Sequence, residues 1–541
     1  MAKRKLAFSD KLDNAIGVFF PRAAFKRRQY RMANKILGIR GGYEGASRDR
    51  MRGSWTPSGA SADEVLLDEL SDLRERSRYL VRNDGIASGV DRTMTNNIVG
   101  TGIAPQSRVD KRSLGMSDED AEEFQRTAER IWEKWEPHAD RLGRMSFWEM
   151  QNLVMSQILV NGDVIVLNQM IERPYRPYSF ALNVIEADRL ATPSDKTGDK
   201  SIRKGVEIDE AGEPVAYWIC KYHPGDTTYR RSTRGSDEFI RIPARNQYGR
   251  LNVLHLYHVK RPGQSRGEPF FAPVIAIFKN LCDYMDAELV AAKVSACFSV
   301  FVKKENAEEF TVSGADETQL DGKRLEEIEP GMIEYLNPGE SIDGFNPQRP
   351  GAQFDVFVEK CLRFIGASLG LPYELIFKDF SKTNYSSARA ALLEARKMFR
   401  CEQKFISEKL CQPAYENLLD EAVLRGELVA EDYFDRRSDY TRARWIAPGW
   451  GYIDPTKEIS AAKDAVKGNI STLADECAAH GKDWEEVLEQ RAREEERRKQ
   501  LGLPDENSSK IQQDQQPAAQ PAQDKPEKVP GQEGVPTDEE D

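Results

Sequence analysis

Residues 366–399, GASLGLPYELIFKDFSKTNYSSARAALLEARKMF, carry a helix end, a polar crossing and a helix start in one stretch. Gly370 and Pro372 stop an apolar stripe that closes at Leu369, and the segment from Tyr373 to Tyr385 reads as a polar loop before a long helix from about Ser387. Reading backwards, Phe354, Phe357, Val358, Cys361, Leu362, Ile365 and Leu369 recur at helical spacing. Further upstream, residues 300–353 carry many Glu, Gly and Pro residues and read as a small exposed insertion. Before it a second amphipathic helix is expected from near Pro273 to about Phe298, with Phe278, Leu281, Cys282, Met285 and Leu289 on one face. Two helices therefore bracket one insertion.

Towards the N-terminus the pattern is strands, then helices. VIVLN from Val164, SFALNVIEA from Ser179, GVEID, VAYWICKY and NVLHLYHVK read as strands, the third and fourth joined by a turn at Glu210 to Pro214. Three earlier helices have capping-box starts, Ser61 before Glu64, Ser117 before Asp120 and Ser146 before Glu149. Phe124, Ala128, Ile131, Trp132 and Trp135 share one face of the second, which makes that face core. The first fifty or so residues are basic, with Arg22, Lys26, Arg27, Arg28, Arg31, Lys35 and Arg40 on a segment that reads as a solvated arm or a contact for a partner or nucleic acid.

Downstream, Pro413 is expected to kink or split the long helix because it has no amide proton to donate. Shorter helices from Pro455 should stop at Gly468, Gly481 and Gly502. Beyond about Leu503 the chain is Gln, Pro, Glu and Asp, too poor in apolar surface to offset the entropy of ordering, so disorder is expected there.

Composition narrows the class. The 541 residues are 39% hydrophobic and 31% charged, with no apolar run long enough to span a bilayer. The basic N-terminus lacks a signal-peptide core and cleavage site. Seven cysteines without a Cys-x-x-Cys pair read as small core residues in a reducing compartment. A formal net charge of −11 argues against a generic nucleic-acid binder, so any DNA contact is expected to be local.

Few motifs suggest chemistry. Gly263-Gln-Ser-Arg-Gly267 matches a nucleophile elbow between a strand and a helix, but the helix does not begin directly after Ser265, and only His480 lies downstream as a base. His255 and His258 sit an odd number of residues apart, which on a strand sends the rings to opposite faces and away from a shared metal. No phosphate-binding loop occurs; Thr197-Gly-Asp-Lys-Ser201 lacks its first Gly and its Gly-Lys pair. Paired acids such as Asp283 with Asp286, or Glu326 with Glu327, read as solvated surface. No catalytic residue, metal or cofactor is expected.

Several ordered segments resemble the portal proteins of lambda-like tailed bacteriophages. They are Arg78-Tyr-Leu-Val-Arg-Asn83 with Ile98-Val-Gly-Thr-Gly102, Gly205-Val-Glu-Ile-Asp209, Arg261-Pro-Gly-Gln-Ser-Arg-Gly267, the opening stretch from Gly366 to Phe399, Trp445-Ile-Ala-Pro-Gly-Trp450, Ile453-Asp-Pro-Thr-Lys-Glu458 and Lys467-Gly-Asn-Ile-Ser-Thr472. Together they span about residues 20–505.

The resemblance implies an α+β portal fold with a mixed α/β wing, a two-helix stem, a small α/β clip insertion, a helical crown and a disordered C-terminal tail. The implied parts are a basic N-terminal arm (1–55), wing (56–269), stem helix (270–298), clip (299–352), second stem helix (353–370), tunnel loop (371–386), long helix and wing return (387–452), crown (453–502) and tail (503–541). It implies a dodecameric homo-oligomer at a capsid vertex of the virion, assembled in the host bacterial cytoplasm, through which double-stranded DNA passes non-specifically. Implied partners are the terminase large subunit, the major capsid protein and scaffold, and a head-tail completion protein, with no membrane. Lys378, Lys382, Asn384 and Tyr385 become candidates for facing the DNA. Twelve helices packed about 9 Å apart enclose a bore of about 24 Å, enough for a duplex. An acidic ring would let DNA slide, since dense Lys and Arg contacts would grip phosphates by releasing counterions. Two rivals stand: a DNA-acting hydrolase using carboxylates or Ser265, and a phage assembly scaffold without a channel.

Overall fold

Capping chemistry sets the helix starts. The computed structural model describes residues 20–23, 25–27, 29, 54, 56–226, 238–296, 300–304, 340–344 and 354–503. Most of the basic arm, the middle of the 300–353 insertion and the tail beyond residue 503 lie outside them. From residue 62 onward, α1 (Ala62–Asn83) is followed by α2 (Gly85–Ile98), whose N-cap Asp84 accepts from the Ile86 and Ala87 amides. Strand β1 (Ala104–Ser107) leads to α3 (Asp118–Trp135), capped by Ser117, and to α4 (Phe147–Asn161), which opens on the Ser146–Glu149 capping box. The expected apolar face of α3 is buried along its length, and the Trp135 indole donates to the Phe180 carbonyl at 2.8 Å.

Next come β2 (Asp163–Met170), β3 (Phe180–Ile185), β4 (Ile202–Arg203), β5 (Val206–Ile208), β6 (Pro214–Cys220), β7 (Phe239–Pro243) and β8 (Val253–Tyr257). They form two small antiparallel sheets, ordered β3-β2-β8 and β4-β5-β6-β7. The run Val164-Ile-Val-Leu167 is apolar throughout because β2 is covered on both faces. Val164 and Val166 join the large helical core, while Ile165 and Leu167 join a second core with Tyr217 and Ile219 of β6.

Helix α5 (Ile275–Ala296) is preceded by a 3-10 turn over Ala272–Val274. The described ends of the insertion, β9 (Val300–Lys304) and β10 (Glu340–Gly344), pair antiparallel and return the chain to α6 (Phe354–Leu369). Tyr284 of α5 packs on Phe354 and Phe357 of α6, with ring centroids 5.7 and 5.0 Å apart.

The expected loop from Tyr373 to Tyr385 needs correction. It holds a short helix, α7 (Tyr373–Phe377), because Pro372 fixes an extended N-cap and Tyr373 stacks on Phe377 one turn later. Helix α8 (Tyr385–Ile406) begins two residues before Ser387, capped by Asn384. A π turn over Ser407–Cys411 separates α8 from α9 (Gln412–Leu424), so the break falls at Pro413 as its missing amide dictates. Strand β11 (Ala443–Ile446) pairs with β1, and α10 (Pro455–Lys467), α11 (Leu473–Ala479) and α12 (Trp484–Gln500) follow, with Gly468, Gly481 and Gly502 just beyond their ends. The class is α+β, as expected. Among the described residues, no helix is long and apolar enough to cross a membrane.

Candidate functional site

The segment between α6 and α8 and the first residue of α8 hold the four candidate residues, and the structure gives each a local role. Lys378 ends α7 in the left-handed conformation at φ 57°, where a non-glycine residue is uncommon. The Lys382 ammonium sits 2.9 Å from Glu359 on α6, which raises the lysine pKa through a hydrogen bond and Coulomb attraction. Asn384 caps α8 by accepting from the Ser387 amide at 2.8 Å, and Tyr385 is the first residue of that helix, half exposed. The seven residues 378–384 are thus a tight crossing. Ser381 donates its amide to Asp379, and Thr383 donates amide and hydroxyl to the Phe380 carbonyl.

This crossing is tied to the flank of α6. Glu359 also accepts from Arg363 at 2.7 Å, and the Arg363 guanidinium lies over the Tyr373 ring at 5.4 Å. These are exposed pairs, weak enough for the lysine to be exchanged between Glu359 and another anion. The structure brings Lys382 to α6 and leaves Asn384 occupied with capping.

A buried charge cluster missed by sequence reading fixes the start of β2 against α1 and β8. Asp163, the first residue of β2, is fully buried and binds Arg74 of α1 at 2.5 Å, Arg266 at 2.7 Å and His255 of β8 at 3.2 Å. Burial alone would raise its pKa, but the Arg266 and Arg74 guanidinium groups overcome that and hold the carboxyl well below its ordinary value. Burial lowers His255, partly offset by Asp163, and brings Arg74 down to about 10. Arg266 also donates to the carbonyls of Ala187, Leu190 and Lys204.

The same cluster accounts for the apparent nucleophile elbow. Ser265 is buried and donates its hydroxyl and amide to Asp63 at 2.7 Å each, and Asp63 pairs with Arg203. A nucleophilic serine needs a free general base in that place; here the hydroxyl donates to a carboxylate that also takes the Ser265 amide and is paired with Arg203. His480 instead packs against Tyr452, with tilted rings whose centroids are 4.4 Å apart. Gly267 faces Gly162 so closely that a Cβ would fall 2.0 Å from the Gly162 carbonyl oxygen. The turn is therefore a structural junction among α1, α4, β2 and the run into α5.

The two histidines part company: His255 of β8 binds Asp163, and His258, one residue past the end of β8, binds Glu402 of α8 at 2.9 Å. Glu186, Asp188 and His223 do converge within 4.8 Å. Arg78 already pairs with both acids, so a cation's charge is supplied there by guanidinium.

The helix pair itself exposes apolar side chains. Met285 and Leu289 of α5 are 44% and 55% exposed, and Val356, Phe357 and Phe364 of α6 are 59%, 51% and 68% exposed. Spacing puts Met285, Leu289 and Phe357 on apolar stripes, and the single chain leaves all three at the surface.

Comparison with known proteins follows the same outline. The family model for the phage portal protein, lambda family, matches residues 48–403. A probable portal protein of Halomonas phage phiHAP-1 is 29% identical over 479 residues, covering 86% of this chain and 88% of its own. The portal protein of Escherichia phage N15 is 26% identical over 497 residues, with 87% and 92% covered. Portal protein B of Escherichia phage lambda is 25% identical over 477 residues, with 83% and 88% covered. Among solved structures, a chain of the virion of a native gene transfer agent particle aligns at TM-score 0.40 and 14% identity, covering 81% of this chain and 94% of that one.

Proposed function

Since this chain belongs to the lambda family of phage portal proteins, we propose that its copies close into a twelve-fold ring at a capsid vertex, through which double-stranded DNA enters during packaging and leaves during ejection. Its family and relatives make it a structural virion component and not an enzyme. Beyond the family match, the observation that carries the ring is the apolar surface left uncovered on α5 and α6. Aromatic and aliphatic side chains exposed in a row on paired helices are stabilised by a neighbour that covers them.

In this reading α5 and α6 are the stem, the insertion between them is the clip, residues 371–386 form the tunnel loop, and the helices after Pro455 form the crown. Terminase docks at one end and the head-tail completion protein at the other, with the shell around the wing. Lys378 and Lys382 are the candidate phosphate contacts of the loop. Two lysines per subunit in a chain of net charge −11 give a surface that guides a duplex without holding it.

Mass measurement of the purified chain tests the ring. Twelve copies of a 61.4 kDa chain give a particle of about 740 kDa. A chain that stays single under assembly conditions overturns the reading.

A further inference from the structure

Helix α6 has two dissimilar flanks. On one, Asp355, Val358, Glu359 and Leu362 line a groove of about 690 Å³ that continues across α5, α7 and the α1–α2 junction. Its floor is apolar, with Leu80, Leu281 and Leu362 buried beneath it. Its rim is acidic: Asp84, Asp283, Asp286, Asp355, Glu359 and Asp379 all line it, against Lys279 and Lys382. Both lysines are already engaged, with Asp283 and Glu359, and Asp84 caps α2 while accepting from the Cys282 thiol. Asp286 and Asp355 have no ion pair among the described residues and stand exposed at the mouth.

On the other flank, Val356, Lys360 and Phe364 follow one another at four-residue spacing, which aligns them as a single ridge. All three are exposed, and Lys360 has no ion pair among the described residues. Counting 100° per residue, this ridge points roughly opposite to the groove-lining positions.

We propose that the Val356–Lys360–Phe364 ridge of one copy seats in the acidic, apolar-floored groove of the next, with Lys360 meeting Asp286 and Asp355. This rests on the ring reading above and supplies its contact. The complementarity is of both kinds: an aliphatic and an aromatic side chain for the floor, and a cation for two unpaired carboxylates. Ridge and groove lie on opposite flanks of the same helix, so each copy offers one of each. Such a contact is head-to-tail: it cannot satisfy both partners in a two-fold pair and repeats from copy to copy until the rotation closes.

Two full-length variants test it. The ridge variant carries Lys360→Glu and Phe364→Glu; the groove variant carries Asp286→Lys and Asp355→Lys. All four positions are exposed, and unchanged circular dichroism and urea unfolding verify the fold of each. Like charges then face each other in each pure variant, and association weakens roughly tenfold or more. Native mass spectrometry should find single subunits for either variant alone and rings of alternating composition when the two are mixed. Mixing works because each junction then joins opposite charges. Rings from both variants separately would show that something else fills the groove and would overturn the pairing while leaving the ring intact. Variants that fail alone and stay single on mixing would also overturn it. A wild-type chain that never passes beyond single subunits would remove the ring reading and this contact together.

Discussion

Replacing Asp163 by Asn removes one charge without changing shape, and the structure sets the cost. The carboxylate is fully buried and is the shared counter-charge of Arg74 and Arg266, which are themselves buried. The Asp163→Asn substitution would leave Arg266 in a low-dielectric interior with its backbone acceptors but without an anion within ion-pair distance, and Arg74 with only Asp188 at 3.6 Å. Breaking a buried pair by removing one partner costs about 3–5 kcal/mol. Spread over the roughly 400 described residues at about 2.1 cal/mol/K each, that is a fall in Tm of about 4–6 °C if they unfold together. Urea denaturation of the single subunit, followed by the intrinsic fluorescence of its eight tryptophans, buried Trp135 among them, gives the free energy directly. A loss under about 1 kcal/mol would refute the assignment of Asp163 as the counter-charge. The cluster also fixes the pH response. The depressed Asp163 pKa contributes stability that is present above its unfolded pKa and lost as pH falls through its folded one. His255, lowered by burial, binds its proton more readily unfolded, so stability starts to fall below about pH 6.5. Both act in the same direction, towards acid lability.

Three other expectations follow from named contacts. Gly267→Ala should cost about 3 kcal/mol or more, seen as a lower urea midpoint, because its Cβ meets the Gly162 backbone and no flexible side chain is available to yield. Glu129 is pushed up to about 7 by burial and by nearby Asp483, Glu485 and Glu486, against the Ser107 amide that favours its charged form. The stability a raised carboxyl contributes is lost as pH rises from its ordinary value of 4.5 to about 7, so hydrogen exchange over 484–500 should quicken across that window beyond its intrinsic rate and show no further excess above it, and Glu129→Gln should abolish the excess. Lys378→Ala with Lys382→Ala should leave ring mass unchanged and let packaged DNA slip back a few times faster in a packaging assay; unchanged slippage would remove both lysines from the channel surface.

Much of the fold was legible because local rules governed it. Ser117 and Ser146 mark helix starts with their own hydroxyls, Pro413 announces the break between α8 and α9, and the apolar face of α3 is core throughout. The stripes of α5 and α6 mark helices correctly and core only in part. Phe278 and Leu362 are buried, while Met285 and Phe357 are exposed, because spacing marks a sticky face without saying whether the same chain or another covers it. The Asp163 cluster was hidden for a different reason. Its partners lie 89, 92 and 103 residues away in sequence, and no local pattern couples them. Within the candidate loop, α7 was missed because five residues are too few for periodicity to register, although Pro372 and the Tyr373–Phe377 pair were there to be read.

The most direct measurement is cryo-electron microscopy of the purified full-length chain. The account predicts a closed ring with a central opening of about 24 Å, bordered by α5, α6 and residues 378–384. Solid particles with no opening, or rings in which α5 and α6 lie at the outer edge, would contradict it.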